Sequence, residues 1–274
     1  MSKVAVVVVT HDSQQVIGKC VRALADQSAP VHQLIVVDSG SKEPAYLTSV
    51  REFPGAVLVL RDNIGFARAN NLGIGRVDPG VEYLLFLNPD AFLHGKFLAG
   101  ATAVMERHPE AALLTGRLSG YDLQQHRPTG RLDSTGIFRT WYGRWYDRGQ
   151  GEIDGDNYQR QESVPAVCGA LMFGRRQALE QVARPGGAVF DPDFFLYKED
   201  IELSLRLRKA GWSLLYDPRL PAFHCRGWLD KRRRMSPALR RTAAASEVLL
   251  YRRHPSPYML WAICKYLAVN LFRA

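Results

Sequence analysis

Short apolar runs in the first third of the chain constrain its fold most strongly. They occupy residues 4–9, 34–37, 57–60 and 83–87, and longer amphipathic segments separate them. Short continuous apolar runs are typical of strands buried on both faces, and intervening helices are typical of a parallel sheet covered on both sides. The pattern therefore predicts an α/β fold with a mostly parallel sheet flanked by helices.

Polar residues follow each of these runs directly. The segments are Thr10-His11-Asp12, Asp38-Ser39-Gly40-Ser41, Arg61-Asp62-Asn63 and Asn88-Pro89-Asp90. Open α/β sheets bind their ligands outside the carboxyl ends of the strands. We therefore expect a binding cleft at this edge, although each segment read alone is also an ordinary turn.

Helical periodicity and stop signals predict the elements between and after these runs. Helices are expected at residues 14–27, 65–74, 96–107 and 175–182, with regular structure at 164–173 and a strand at 220–223. Residues 200–210 alternate like a strand, but the Glu202/Arg206 spacing and the stop at Gly211 favour a helix with Asp200 as its N-cap. Residues 116–163 show little periodicity and carry an aromatic string at 141–146, which predicts a long binding loop or lid. A surface excursion with its own small core is the alternative.

The last part of the chain has a different character. Basic clusters at residues 231–234 and 240–241 precede a mostly apolar segment at 258–272. That segment, at about 15 residues, is shorter than the roughly 20 needed to span a bilayer as a helix. We predict a domain at 1–228 and a helical tail at 229–274 that lies on an anionic membrane surface. Packing of the tail on the domain is the alternative.

Charge and cysteine content narrow the class of protein. The 36 Lys and Arg residues against 27 Asp and Glu residues give a net charge of +9, which favours an anionic partner. No nucleic-acid-binding signature accompanies the charge, so we expect no nucleic-acid partner. The four cysteines form no CxxC pair, and the first apolar run is too short for a signal peptide. A cytoplasmic protein is expected.

Acidic residues supply the candidate chemistry. Asp90 could contribute to a site for Mg²⁺ or Mn²⁺, which needs only one or two protein carboxylates when a diphosphate supplies other ligands. Glu199 and Asp200 close an aromatic run and open a helix, with Glu202 beside them. A carboxylate at a helix N-terminus facing a cleft can serve as a general base, and simple capping is the alternative for Asp200. His224 follows a predicted strand and is a second candidate metal ligand.

In this order the segments resemble glycosyltransferase family 2, and within it the bacterial rhamnosyltransferase-like branch that builds O-antigen and cell-wall polysaccharide. The resemblance covers residues 3–228. It rests on residues 6–10, VVDSGS (36–41), NIGFARANN (63–71), LNPD (87–90), CGA (168–170), FLYKED (195–200) and His224.

The resemblance implies a GT-A fold and an inverting, metal-dependent transfer of a sugar from a nucleoside diphosphate donor. Asp90 matches the last acid of the family's DXD motif, Asn88 replaces its first acid, and His224 matches a histidine near the metal and diphosphate. Asp38 matches the acid that holds the nucleoside. The other residues that the resemblance places around the donor are Thr10, Asp12, Asn63, Arg68 and Asn71.

The resemblance also assigns the acceptor side. Asp200 matches the family's catalytic base, flanked by Glu199 and Glu202, and the aromatic residues Trp141 and Trp145 would face acceptor sugars. The expected protein is a cytoplasmic, membrane-associated enzyme that transfers L-rhamnose from dTDP-L-rhamnose to a lipid-linked or lipopolysaccharide glycan. Three alternatives stay open: a UDP-hexose or UDP-N-acetylhexosamine transferase, a non-catalytic nucleic-acid-binding protein, and a nucleotide-sugar sensor suggested by Asn88.

Overall fold

The structure is a computed structural model that describes residues 2–225 and 236–271. Among these residues, no helix combines the length and apolar character that a bilayer-spanning segment requires. The predicted basic cluster at 231–234 and the predicted boundary at 228 and 229 lie outside the described residues.

A parallel sheet forms the first half of the fold, as the apolar runs predict. Its strands are β1 (Val4–Thr10), β2 (Gln33–Ser39), β3 (Val57–Arg61) and β4 (Tyr83–Leu87). They lie side by side in the order β4-β1-β2-β3, and every pairing among them is parallel. All seven residues of β2 are buried, which explains why this run lacks the alternation of a half-exposed strand.

Helices form close to their predicted positions. They are α1 (Ile17–Ala25), the short α2 (Thr48–Arg51), α3 (Phe66–Ile74), α4 (Phe97–Arg107), α5 (Arg176–Gln181) and α6 (Glu199–Lys209). The predicted start of α6 is wrong in detail. Lys198, in a left-handed conformation with φ of 72°, is the N-cap, and Asp200 lies inside the first turn.

Later strands extend the sheet and close one side of it. The added strands are β5 (Ala91–Leu93), β6 (Ala111–Asp122), β11 (Leu171–Arg175) and β12 (Ser213–His224). β11 joins β4 to β6 in antiparallel fashion, and β12 runs parallel to β6. β5 pairs with β12 so that His224 lies opposite Ala91. The pairing therefore brings the end of β12 beside Asp90.

Residues 116–163 are not the predicted long loop. They contain most of β6 together with β7 (Arg127–Ser134), β8 (Ile137–Arg139), β9 (Trp145–Asp147) and β10 (Glu162–Ser163). β7 pairs with β6, and β8 pairs with β9. The strands lack hydrophobic periodicity partly because they bury polar groups: Arg117 is buried and donates to Asp154 at 2.8 Å. Regular structure also begins later than predicted, at Leu171 rather than 164.

The tail forms two helices, α7 (Pro237–Arg253) and α8 (Met259–Leu271). Leu250 and Tyr251 of α7 belong to the hydrophobic core. The hydroxyl of Ser246 donates to the carbonyl of Leu196 at 2.8 Å, and the hydroxyl of Tyr251 donates to the carbonyl of Gly143 at 2.5 Å. α7 thus packs onto the fold beside the segment that precedes α6, while α8 contacts α7.

Candidate active site

A cleft of about 1250 Å³ opens at the carboxyl ends of β1, β2 and β4. This is the edge at which the sequence predicts ligand binding. Its walls come from residues 9–16, from Asn63, Gly65 and Phe66, from Asn88, Pro89 and Asp90, from 121–124, and from 195–197. The arrangement brings the predicted donor segments and the aromatic run before α6 around one space.

Asp38 lies beneath one wall of this cleft and is almost completely buried. Its carboxylate accepts hydrogen bonds from the backbone N–H of Ser41 at 3.1 Å and from the Ser41 hydroxyl at 2.5 Å. The hydroxyl of Tyr46 lies 3.0 Å from both the Ser41 and the Thr10 hydroxyls. Asp38 therefore fixes the ends of β1 and β2, and Thr10 lines the cleft above it. The sequence does not indicate a role for Tyr46, because Tyr46 lies after the VVDSGS motif (36–41).

Asp12 joins the two loops that follow β1 and β2. Its carboxylate accepts from the backbone N–H of Lys42 at 2.9 Å, and its own N–H donates to the Ser41 hydroxyl at 2.8 Å. Asp12 has φ of 47°, a conformation rare for a residue with a side chain. The hydrogen bonds hold that conformation and keep Asp12 in the cleft wall.

Asn63 lines the cleft next to these loops and organises the start of α3. Its side-chain oxygen accepts from the backbone N–H of Gly65 at 3.2 Å. Gly65 has φ of 79°, and a Cβ there would lie 2.5 Å from the carbonyl oxygen of Phe195. The N–H of Phe66 donates to that same oxygen at 2.8 Å. Only glycine permits this approach, which fixes the 195–197 wall against α3.

Arg68 and Asn71 of α3 bond the backbone of a distant segment. Arg68 Nε donates to the carbonyl of Pro192 at 3.0 Å. The Asn71 amide bonds both backbone groups of Phe190, at 2.7 and 2.9 Å. Neither residue is part of the cleft wall, and both hold the 190–192 backbone against α3, so their contact with a donor stays a prediction.

Asp90 and His224 meet at the far side of the cleft. His224 Nε2 lies 3.2 Å from Asp90 Oδ1, and its Nδ1 lies 2.6 Å from Oδ2 of Asp133. The N–H of Cys225 donates to the Asp90 carbonyl at 2.9 Å, which continues the β5–β12 pairing. Burial by itself lowers the pKa of His224, but Asp90 and Asp133 raise it to about 10. Asp133 was missed in the sequence, because it falls in the region predicted as a loop.

The donor atoms at this point suit a hard divalent cation that also binds a diphosphate. The Asp90 side chain is 29% exposed and lines the cleft, whereas His224 is buried behind it. Within residues 2–225 and 236–271, no group of three or more His, Cys, Asp or Glu side chains could hold a metal ion. Asp90 would therefore hold the cation with ligands completed by the substrate, which is the usual arrangement for Mg²⁺. His224 would join it as a ligand only after its Nε2 gives up the proton that Asp90 and Asp133 stabilise. Asn88 lines the same wall.

Asp200 and Glu199 begin α6, immediately after the 195–197 wall. The Asp200 carboxylate accepts from the backbone N–H of Gly169 at 2.9 Å and from that of Ile201 at 2.8 Å. Tyr197 and Lys198 before it both have positive φ, of 70° and 72°. Two consecutive residues of this kind are costly and are retained where the surrounding structure holds them. The turn and the two N–H donors thus orient the Asp200 carboxylate.

Burial and mutual repulsion change the ionisation of this acidic pair. Burial, followed by the charge of Asp200, raises the pKa of Glu199 to about 8. Burial also raises the pKa of Asp200, although the Gly169 N–H and Lys198 oppose this. Both pKa values therefore lie above their usual range, so the pair holds a proton more readily than two exposed carboxylates would.

Glu202 does not lie on the acceptor side. It is fully buried and forms ion pairs with Arg184 and Arg206, each at 2.8 Å. Burial acts to raise its pKa, but hydrogen bonds from His254 and Arg206 lower it to about 2. The predicted acceptor role is corrected to a buried ion-pair centre that holds α6 to neighbouring segments.

Trp141 and Trp145, the two aromatic residues predicted to face the acceptor, lie in different environments. Trp145 is buried in the core with the guanidinium of Arg139 5.3 Å from its ring, which corrects its predicted contact with acceptor sugars. Trp141 is 87% exposed and packs edge-on against Tyr142, which in turn packs against Trp261 of α8. Trp141 is therefore available to a partner beside α8, outside the cleft wall.

Comparison with known proteins decides the family. The family model "Glycosyl transferase family 2" matches residues 5–183, which include nearly all of β1, the whole of β2 to β4, Asp38 and Asp90. The chain belongs to glycosyl transferase family 2. A relative from Mycobacterium tuberculosis, named N-acetylglucosaminyl-diphospho-decaprenol L-rhamnosyltransferase, is 24% identical over 237 residues. That alignment covers 80% of this chain and 75% of the relative.

Solved structures share the fold of this glycosyl transferase family 2 member. GalNAc-T7, crystallised with UDP, GalNAc and Mn²⁺, matches with a TM-score of 0.71 at 14% identity over 98% of this chain. S. aureus TarS matches with a TM-score of 0.59 at 16% identity over 98% of this chain. The chain spans 54% and 43% of these two proteins. Both likenesses confirm the predicted GT-A fold.

Proposed function

We propose that the protein transfers L-rhamnose from dTDP-L-rhamnose to a lipid-linked or lipopolysaccharide glycan at the cytoplasmic face of a membrane. The observation that carries the proposal is the cleft itself. It joins the Thr10, Asp12 and Asn63 wall to Asp90 on the opposite side, in a chain of a sugar-transferring family. The rhamnosyl donor and lipid-linked acceptor are supported by the name of the Mycobacterium tuberculosis relative.

The two walls divide the binding of the donor. The nucleoside lies against the Thr10, Asp12 and Asn63 wall, where Asp38 fixes the backbone from beneath. The diphosphate extends to Asp90 and His224, which would hold a divalent cation. When bound, such a cation supplies positive charge that stabilises the departing diphosphate.

Asp200 serves as the general base on the acceptor side. Its carboxylate removes the proton from the acceptor hydroxyl as that oxygen bonds to the anomeric carbon of the donor. The bond from the anomeric carbon to the diphosphate oxygen breaks at the opposite face, and its electron pair leaves with the nucleoside diphosphate. One displacement of this kind inverts the anomeric configuration. The raised pKa of Glu199 limits the negative charge beside the base.

A UDP-sugar donor is the second candidate. Its support is the GalNAc-T7 structure, which holds UDP on the same fold. Donor choice depends on a few contacts in the pocket, so the fold alone does not separate the two candidates.

Thermal unfolding with nucleotides tests the proposal directly, because a ligand that binds only the folded protein raises the melting temperature. The panel is dTDP, UDP and GDP, each with Mn²⁺ and with EDTA. We expect the largest Mn²⁺-dependent shift with dTDP, and transfer of radiolabelled rhamnose to a lipid-linked acceptor. A shift with UDP alone would identify a UDP-sugar as the donor in place of dTDP-L-rhamnose. If no nucleotide shifts the melting temperature, the cleft is not a donor site. Binding without transfer would favour a nucleotide-sugar sensor.

A further inference from the structure

Helix α8 exposes an apolar stripe that a helix packed only on its own protein would not expose. Its outward residues include Leu260 at 72% exposure and Leu271 at 70%, with Ile263 and Leu267 between them also exposed. Its inward face is apolar as well, since Ala262 is buried in the core and half-buried Met259 packs against it, with half-buried Lys265 beside them. A surface helix of a globular protein normally turns its apolar stripe to the core. The additional apolar stripe on the outward face indicates that something apolar covers α8.

The inward position of Lys265 is held by a buried acid. Lys265 is the only charged residue in the sequence of α8. Its ammonium group pairs with the carboxylate of Glu247, which is 1% exposed in α7, and Trp261 Nε1 donates to the same carboxylate at 3.3 Å. The pairing therefore removes the charge of Lys265 from the outward stripe.

Aromatic residues continue the apolar surface beyond the helix. Trp261 at the start of α8 packs against Tyr142, whose ring centroid is 5.0 Å away, and Tyr142 packs against the exposed Trp141. Tyr266 is 40% exposed further along α8. Tryptophan and tyrosine are enriched where proteins meet the headgroup region of a bilayer.

Positive charge accompanies this apolar surface. Residues 236–271 contain five Lys and Arg residues and one acid, Glu247, although Lys265 pairs with Glu247 and Arg253 pairs with Asp191 and Asp193. Arg241 and Arg252 of α7 are exposed. Basic residues next to an apolar helix favour a surface with anionic headgroups.

We propose that α8 lies in the interfacial plane of an anionic lipid bilayer, with its outward stripe and Trp141 in the boundary between headgroups and acyl chains. The 13 residues of α8 extend about 20 Å at 1.5 Å per residue, shorter than the roughly 30 Å hydrocarbon core. A helix of that length with exposed apolar residues along one side is suited to lie on the surface of a bilayer and is too short to cross it. A second copy of the chain is less suited, because a symmetric pair would bring two basic tails together.

The position of α8 links the bilayer to the cleft. α8 packs against α7, and α7 is fixed to the cleft wall by a hydrogen bond. The Ser246 hydroxyl of α7 donates to the carbonyl of Leu196, which lines the cleft. Docking of α8 thus fixes the 195–197 wall relative to the bilayer surface. This consequence rests on the proposed function, because it matters for an acceptor whose lipid lies in that bilayer.

Vesicle binding by the full chain tests the surface. The measurement is co-sedimentation with vesicles of phosphatidylcholine alone and with vesicles that contain phosphatidylglycerol. We expect at least about tenfold tighter binding to the anionic vesicles, weakened by salt. The double variant Leu260→Gln and Leu267→Gln should lose at least about tenfold of that binding. The matched double variant Leu60→Gln and Ile153→Gln, which changes exposed apolar residues elsewhere, should keep it.

Tryptophan fluorescence supplies a second readout. Brominated lipids should quench the emission of the wild-type protein more strongly than that of Trp141→Phe. Absence of binding to anionic vesicles, or binding that the α8 double variant leaves unchanged, overturns the proposal. A dimer that the same variant abolishes assigns the stripe to a second copy instead. The nucleotide-dependent thermal shift should be equal in the wild type and in all variants. If no protein shows this shift, the proposed function is contradicted, but the vesicle-binding result still supports the membrane surface.

Discussion

His224 Nδ1 lies 2.6 Å from Oδ2 of Asp133, and both side chains are buried. The other nitrogen of the ring faces Asp90 at 3.2 Å. Two strands create this arrangement, since β12 ends at His224 and β7 carries Asp133. Asp133 thus sets the orientation of a ring whose other nitrogen meets the candidate metal ligand Asp90.

We expect Asp133→Asn to weaken Mn²⁺-dependent nucleotide binding by about 10-fold to 100-fold, the usual effect of changing a carboxylate behind a metal-binding histidine. Asparagine keeps the size of the side chain but removes the charge that makes the imidazole a better ligand. Titration calorimetry with dTDP, in Mn²⁺ and in EDTA, measures the effect. Equal loss of binding in EDTA would assign Asp133 to folding alone.

Asp200→Asn should lower kcat by about 100-fold to 10,000-fold, the range for loss of a general base. Nucleotide binding should stay near the wild-type value, because asparagine keeps the size of the side chain and its single oxygen can still accept one of the two hydrogen bonds from the Gly169 and Ile201 N–H groups. Single-turnover transfer and calorimetry separate the two quantities. Asp193→Asn, a change of an exposed acid in the preceding segment, is the control. Wild-type turnover by Asp200→Asn would rule out its role as the base.

Glu199 should make stability depend on pH. Its pKa rises from the ordinary 4.5 to about 8 in the folded protein, so the folded state holds the proton more tightly. The resulting stability is complete below pH 4.5 and is lost as the pH rises to about 8. Glu199→Gln should remove this loss of stability, so the free energy of unfolding of the variant should rise relative to that of the wild type as the pH increases from 4.5 to about 8. Urea unfolding at successive pH values measures it, and Glu180→Gln, an exposed change, should leave the slope intact.

Glu202→Gln should destabilise the protein by about 3 kcal/mol or more, because it removes the charge that pairs with Arg206 and leaves Asp191 to balance Arg184. Arg184 and Arg206 are only 26% and 15% exposed in their side chains, so water compensates them poorly. Urea unfolding measures the loss. If the variant instead keeps its stability and raises KM for the acceptor, Glu202 belongs to the acceptor side after all.

The sequence predicts the first half of the fold well because each strand there is a continuous apolar run. β4 has the predicted bounds, and β1 differs from its prediction by one residue. β6 and β12 were poorly predicted, since Leu114 pairs with Leu215 across about a hundred residues of chain and polar side chains such as Arg117 are buried between them. No local pattern contains a pairing of that range.

The candidate site divides in the same way. Asp12, Asn63 and Asp90 follow apolar strands, so the topology alone carries them to the cleft. Asn71 and Glu202 have the residue types of a binding site, but their partners, Phe190 and Arg184, are set by tertiary packing. Asp133 is the converse case, a site residue without a motif. Sequence reasoning thus finds residues that the sheet positions and misses partners that come from distant segments.

Gly65→Ala should disturb the cleft through a single contact. Its added Cβ would meet the Phe195 carbonyl oxygen at 2.5 Å, closer than real Cβ atoms approach, so the 195–197 wall must move away from α3. We expect loss of stability of about 1–3 kcal/mol from backbone strain, together with weaker nucleotide binding. Gly80→Ala isolates the contact, because Gly80 has a similar φ of 82° but open space where the Cβ would lie. Thermal unfolding with and without nucleotide compares the two. If both variants lose the same stability and bind nucleotide equally well, backbone strain alone explains Gly65 and the close approach to Phe195 does not shape the site.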